Sequence, residues 1–451
     1  MSTAVVLAAG LGTRMRSPMA KVLHPLLGRP MVGWIVAQLR EAGVDEIIVV
    51  VHHQEDAVRA AVTAQDPRVR FVRQEAPKGT GDALRSALGL LPARGTVLVT
   101  AGDTPLLQAK DLKRLLAAHV AGTQATVASF TVEDAQGYGR IVRGKGIVEQ
   151  AECTAAEHGI GEVNSGLYAF EAEHLHAMIP GLAPHAPKGE YYVTDLMGTL
   201  DGVGTRVALG FTASAFAGVN DRAQLAEARG VLRRRVNRAW AEAGVDFADL
   251  EHASVDVGVV LHPGASIGFG AVIEGRSEIA GRVGTHAVVR NCTVAAGASV
   301  HSGSVCDGAS VGAGAVVGPL ARLRPGAVIE ENAHIGNFVE VKNARIRRGA
   351  KANHLSYIGD AEVGEGANIG AGTITCNYDG FKKHKTVIGA GAFIGSNSAL
   401  VAPIEVGAGA IVGAGSTLTQ SVPADAIAIA RGYQKNHEGK AAKFRARQDR
   451  A

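Results

Sequence analysis

Every sixth residue is aliphatic through the stretch VGAGAVVGPLARLRPGAVIEENAHIGNFVEV: Val311, Val317, Leu323, Ile329, Ile335 and Val341. A helix repeats at about 3.6 residues and a half-buried strand at about 2, so neither accounts for a strict period of six. Short strands broken by a tight turn at each sixth step do account for it. Three such strands close a triangular coil, and the sixth-position side chains point inward and stack on the coil above. The same phase returns at Ile267, Ile273 and Ile279, at Val363 and Ile369, and at Ile388, Ile394, Leu400, Val406, Val412 and Leu418. About ten coils of roughly 18 residues fit between 251 and 432. Glycine supplies 58 of the 451 residues and aromatics only 4%, which suits corners where a bulky residue would clash or need a forbidden φ. Two breaks in phase, between Val341 and Val363 and within TCNYDGFKKHKTV, read as loops, where a regular solenoid usually carries its function.

The first 220 residues follow another rule. AVVLAAG, EIIVVVHH and TVLVTAGD are short, continuous apolar runs of the kind found in buried parallel strands, and amphipathic stretches such as MVGWIVAQLREAG separate them. That alternation predicts an α/β, Rossmann-like domain with helices on both faces of a sheet. From Asn220 to about Gly244, an Asp or Asn cap opens a helix with Leu225, Leu232, Val236 and Trp240 along one stripe. The expected organisation is therefore an α/β domain over 1–220, a linking helix over 221–250, a β-helix over 251–432 and a basic tail over 433–451, either solvated or brushing a ligand's phosphates.

Charge excludes some partners. The balance of 46 basic and 42 acidic residues leaves +4, too small and too dispersed for nucleic acid or an anionic membrane. No apolar run reaches the roughly 20 residues that span a bilayer, and the N-terminal run reads as a strand rather than a signal peptide. The four cysteines are far apart and without metal-ligand spacing, as in a reducing cytoplasm.

Just after the first strand, LAAGLGTRMRSPMAKVL brings Gly10 and Gly12 next to Arg14 and Lys21. Glycines let backbone N–H groups approach an anion while the two cations add charge, so this is a polyphosphate site. It is neither a P-loop nor a dinucleotide fingerprint. The segment resembles the signature of the sugar-1-phosphate nucleotidylyltransferases, G-x-G-T-R followed by a Lys seven residues after the Arg. That resemblance implies a nucleoside triphosphate, UTP, held by Leu7, Ala8, Ala9, Gly10, Gly12 and Thr13, with Arg14 and Lys21 catalytic. It also implies Mg²⁺ on Asp103, at the end of TVLVTAGD, and on Asn220; either residue could instead cap the helix that follows it. Gln74, Gly79 and Thr80 would read the base, while Gly139, Glu149 and Asn164, with Tyr191 and Thr194, would hold the sugar. Two departures stand out: Ala20 replaces the family's usual Pro before the catalytic Lys, and Ala101 replaces a frequent aromatic.

Over residues 3–432 the chain resembles the bacterial bifunctional N-acetylglucosamine-1-phosphate uridylyltransferase and glucosamine-1-phosphate N-acetyltransferase family, through LRPGA, NFVEVKNA, KANHLSYIGDA, NIGAGTITCNYDG and IGSNSALVAP. The resemblance implies a left-handed β-helix, a homotrimer, and acetyl-CoA and glucosamine-1-phosphate as further substrates. Acetyl transfer to an amine needs a base, and His354, placed in the first phase break, is the candidate. Glu340 and Asn377 would orient it or the amine, and the Ser396 amide would receive the oxyanion. Arg324, Lys342, Tyr357, Asn368 and Tyr378 would bind the sugar phosphate; Ala371, Ser396, Ala414 and Arg431 would meet coenzyme A. His334 and His384 read as bystanders. The alternative is a nucleotidylyltransferase whose β-helix only assembles or regulates. A metal hydrolase on the same helix would need three suitably placed histidines, and only His354 has such a setting.

Overall fold

A computed structural model describes residues 2–186, 189–202 and 204–448. The chain forms two compact units, Met1–Arg235 and Val236–Ala451.

In the first unit, seven strands run across one sheet in the order Thr205–Ala208, Ala125–Thr131, Glu162–Glu171, Thr96–Ala101, Thr3–Leu7, Glu46–Val51, Arg70–Arg73, with a hairpin of two short strands attached at Glu162–Glu171. Thr3–Leu7 is central and parallel to both neighbours, pairing Leu7 with Val50 and with Ala101. Its carboxyl end is thus buried among strands while the loop beyond it faces outward, the edge where open α/β sheets take ligands. The three runs expected to be parallel strands are so, whereas Glu162–Glu171, which the sequence did not single out as a strand, runs antiparallel to both its neighbours. The chain reaches it through the Arg140–Val142/Gly146–Val148 hairpin rather than a helical crossover, and a hairpin reverses direction. Apolar cores lie on both faces of the sheet, one built around Val6, Ile35, Leu98 and Leu112, the other around Val5, Leu84, Val97 and Phe170.

The second unit is a three-sided parallel β-helix, the left-handed class of fold that hexapeptide repeats build. Its three sheets contain eleven, ten and nine strands, and each strand pairs with one a full coil later. The six aliphatics of the opening run fall to the three sides in rotation and are all buried in one continuous core. Val317 pairs with Ile335, three hexads on, but Ile335 pairs with Ala352 and Ala352 with Ile369, each step one residue short of that. This corrects the first expected loop. Residues 342–363 form short strands in register, because each shortened coil closes through a five-residue step with a left-handed residue, Asn343 between Val341 and Ile346 and Asp360 between Ile358 and Val363. The second break is a true excursion, residues 377–385, between the strands Ile374–Cys376 and Thr386–Ile388.

The helix expected from Asn220 forms over Arg222–Glu242. Val236 and Trp240 pack against the β-helix core. In the tail, Lys440–Gln448 is helical and wholly exposed, and its last three residues lie outside those described. No helix among the described residues is long and apolar enough to cross a membrane.

Candidate functional sites

The first site is a cavity of about 440 Å³ at the carboxyl edge of the sheet, lined by Leu7 to Thr13, Lys21, Gln74, Gly79, Thr80 and Asp103 among others. Gly12 turns the loop in a left-handed conformation, φ 62°, and the chain enters a short 3₁₀ turn at Thr13–Met15. Lys21 lies on a second such turn, Lys21–Leu23. Its ammonium pairs with Asp103 and donates to the Asn220 amide oxygen at 3.2 Å, which also accepts from Arg14 at 3.0 Å. Four residues from three widely separated segments thus meet at one point.

The two capping alternatives are resolved here. Asp221, not Asn220, caps the long helix, accepting from the Gln224 amide at 2.9 Å, while Gln224 takes up the Asn220 N–H. Gln108 caps the helix after Asp103. Both Asn220 and Asp103 therefore keep their side chains for the site. Ala20 also has a structural consequence: its N–H donates to Gln54 Oε1 at 2.8 Å, a bond that proline could not make, and Gln54 Nε2 donates to the Pro18 carbonyl at 2.5 Å. The loop is pinned by Gln54 instead of by a ring.

Gln74 is 2% exposed and its amide nitrogen donates to the Gly79 carbonyl and to Asp82. Gly79 has φ 94°, and an added Cβ there would come within 2.5 Å of the Tyr191 carbonyl oxygen. Tyr191 closes on the same loop through the Gly81 amide, at 2.7 Å. Nearby, the Thr194 hydroxyl donates to Glu149 at 3.1 Å, Asn164 donates to the Tyr168 hydroxyl at 2.7 Å, and the Asn164 amide donates to the Gly139 carbonyl. Burial raises the Glu149 pKa above the ordinary carboxyl range, against the Thr194 bond, which lowers it.

The second site lies on the β-helix. His354 ends the strand Lys351–His354 at a corner rather than in a loop, and its Nδ1 lies 3.0 Å from Asn337 Oδ1 on the coil before. An amide oxygen only accepts, so the ring proton sits on Nδ1 and Nε2 keeps its lone pair. The residues expected to orient His354 are engaged elsewhere. Glu340 accepts from Arg324 at 2.8 Å, while Asn377 donates to Asp360 and, at 3.4 Å, to the Tyr357 hydroxyl. Asp360 also accepts from Asn343 at 2.6 Å; burial opposes the effect, but these two donors lower its pKa below the ordinary carboxylate range. Lys342 meets Lys383 of the excursion, which lowers the Lys342 pKa. Asn337, Asp360 and Lys383 were not singled out from sequence, although the first two lie inside NFVEVKNA and KANHLSYIGDA.

From the corner that carries His354, the coils continue to Ala371, Ser396, Ala414 and Arg431. The Ala371 carbonyl accepts from the Asn397 amide, the Ser396 carbonyl from the Gly415 amide, and the Ala414 carbonyl from the Arg431 side chain. Asn368 sits on the adjoining side, in the strand Asn368–Ile369, and Tyr378 on the excursion is 60% exposed.

Residues 4–180 match the model of the MobA-like NTP transferase domain, and residues 308–343 and 385–420 match the bacterial transferase hexapeptide repeats. The gap between the two hexapeptide matches holds the shortened coils, the excursion, His354, Tyr357 and Asn377. A protein called "Bifunctional protein GlmU" from Sorangium cellulosum is 45% identical over 460 residues, covering 99% of this chain and 97% of the relative. The chain belongs to the GlmU family. Proteins of the same name from Trichlorobacter lovleyi, 45% identical over 97% of this chain and 98% of theirs, and from an Anaeromyxobacter species, 46% identical over 98% and 93%, give the same coverage of both units. GlmU membership accounts for two transferase modules in one polypeptide.

Proposed function

We propose that this bifunctional transferase acetylates glucosamine-1-phosphate with acetyl-CoA on its β-helix and couples N-acetylglucosamine-1-phosphate to UTP in its α/β unit. The observation that carries the first half is the convergence of Arg14 and Asn220 on Lys21 and Asp103, which line one cavity with Gln74. Attack of a sugar phosphate oxygen on the α-phosphorus, with pyrophosphate leaving, brings anions together. Lys21 and Arg14 screen that charge, and the Gly10–Thr13 backbone offers N–H groups to the phosphates. Asp103 and Asn220 both present oxygen to the point Lys21 now fills, a hard donor set suited to Mg²⁺. That ion, when bound, neutralises phosphate charge and holds the triphosphate in line. Glu149, Asn164 and Thr194 hold the sugar.

On the β-helix, His354 Nε2 takes the proton from the sugar ammonium. The freed amine attacks the thioester carbonyl and the Ser396 amide receives the oxyanion; as the intermediate collapses, the nitrogen gives a second proton to solvent and His354 returns its own to the departing thiolate. Arg324, Lys342 and Tyr357 bind the phosphate; Ala371, Ala414 and Arg431 line the coenzyme's path. Leu320, Phe338 and Leu355 form an exposed apolar column at the His354 corner, 51%, 55% and 63% exposed, which supports a homotrimer in which a neighbouring prism covers that corner. All four cysteines are free, as a cytoplasmic protein requires.

Assays following pyrophosphate and thiol separately test both halves. Lys21→Ala abolishes pyrophosphate release and spares thiol release; His354→Ala does the reverse. Absence of thiol release from the unmodified chain would leave a uridylyltransferase with a purely structural prism.

A further inference from the structure

Behind the base-reading end of the cavity stands a residue that no expectation assigned, Asp82. Gln74 is buried, and its amide nitrogen uses both hydrogens on the protein, one to the Gly79 carbonyl at 3.2 Å and one to Asp82 Oδ2 at 2.8 Å. Only the amide oxygen remains for a ligand. The N–H groups of Gly79 and Thr80, which precede the first intrahelical bond, find no acceptor among the described residues, and both residues line the cavity with Gln74. The base therefore meets an acceptor beside donors. Uracil presents the complement, a ring N–H between two carbonyl oxygens. Cytosine presents a ring nitrogen lone pair at the same place and an amino group where uracil has an acceptor.

We propose that Asp82 is a positioning residue for base specificity: it fixes the Gln74 amide with its oxygen toward the nucleotide and so selects a uracil base over cytosine. This rests on the uridylyltransferase reading above. Asp82 is itself held. Arg85, one turn along the same helix, lies 4.0 Å from Asp82 Oδ1 and stacks its guanidinium 4.3 Å from the centre of the Tyr191 ring. Asp82 has a side chain 20% exposed and does not line the cavity, so it acts through Gln74.

Without the carboxylate, the amide loses its orienting partner and turns to offer its nitrogen. The test compares kcat/KM for UTP and CTP, with N-acetylglucosamine-1-phosphate as co-substrate, in the full chain and in Asp82→Ala and Asp82→Asn. Asp82→Ala is expected to lower the UTP-to-CTP ratio roughly tenfold, mainly by raising turnover of CTP. Asp82→Asn, whose side-chain oxygen can still accept from Gln74, restores most of the ratio. Equal losses on both nucleotides in Asp82→Ala, with the ratio unchanged, overturn the proposal. Retained turnover of UTP and an unchanged far-ultraviolet circular dichroism spectrum report that the variant chains are folded. Should the unmodified chain release no pyrophosphate from UTP with any hexosamine phosphate, the uridylyltransferase reading itself falls, a result distinct from an unchanged ratio.

Discussion

A methyl group placed on Gly12 would come within 2.6 Å of the Lys21 Cβ. The glycine is thus required twice, once for its left-handed backbone and once to let the Lys21 stem pass. Gly12→Ala is expected to push the ammonium off Asp103 and Asn220 and to lower pyrophosphate production about a hundredfold, as displacement of a positioned group does. Thiol release should be unchanged, and pyrophosphate and thiol assays on one preparation check both.

The Gln54 clamp on Ala20 gives a paired prediction. Gln54→Ala frees the loop before Lys21 and lowers uridylyltransferase kcat/KM about tenfold. Adding Ala20→Pro to that variant restores much of the loss, because a ring then limits the loop in place of the hydrogen bond. Ala20→Pro alone removes the N–H that Gln54 accepts and is expected to gain little.

Glu149, proposed above to hold the sugar, carries a stability cost. Its folded pKa lies above the unfolded value, so the native state holds its proton more tightly than the unfolded chain does. Its contribution to stability therefore falls as pH rises from the ordinary carboxyl range through the raised value, and stays low above it. At pH 7, Glu149→Gln is expected to melt at or above the temperature of the unmodified chain, with the gain vanishing below pH about 4. Its KM for the sugar phosphate should rise roughly tenfold. A lower melting temperature at pH 7 would contradict this account.

Lys342 and Lys383 bring two ammonium groups together, a costly arrangement that an incoming phosphate relieves. Lys383→Ala is expected to raise the acetyltransferase KM for glucosamine-1-phosphate about tenfold and to flatten its dependence on salt.

The coils test packing directly. An added Cβ on Gly336 would land against the backbone carbonyl of Asn353 on the next coil, whereas at Gly349 it meets open space and only a φ of 67°. Gly336→Ala should cost about 1–3 kcal/mol or more, through forced separation of coils. Gly349→Ala should cost about 1 kcal/mol, from backbone strain alone. Urea unfolding of both variants ranks them.

The sequence was most legible where a period repeats. One aliphatic every six residues could only be a stacked triangular coil, and Val311, Val317 and Leu323 do fall on successive sides. Short-range chemistry was legible too, since Gly10, Gly12, Arg14 and Lys21 lie within one turn-rich segment. What stayed hidden depends on contacts between distant segments. Nothing local distinguishes Gln54 as the partner of Ala20, Asp82 as the holder of Gln74, or Asn337 as the neighbour of His354 one coil below. The shortened coils misled for a related reason: a lost residue looks like a loop in the text, although Asn343 and Asp360 absorb it by turning left-handed.

Because each strand pairs with the one a coil earlier, the position of His354 above Asn337 is an address counted in whole turns. Adding or removing a complete turn lower in the stack would change the prism's height yet return the imidazole to the same edge. Removing a single hexad would keep every aliphatic inside but carry the histidine a third of the way round, away from the edge that carries Ser396 and Ala414. Changes in length are therefore tolerated only in steps that preserve this rotation.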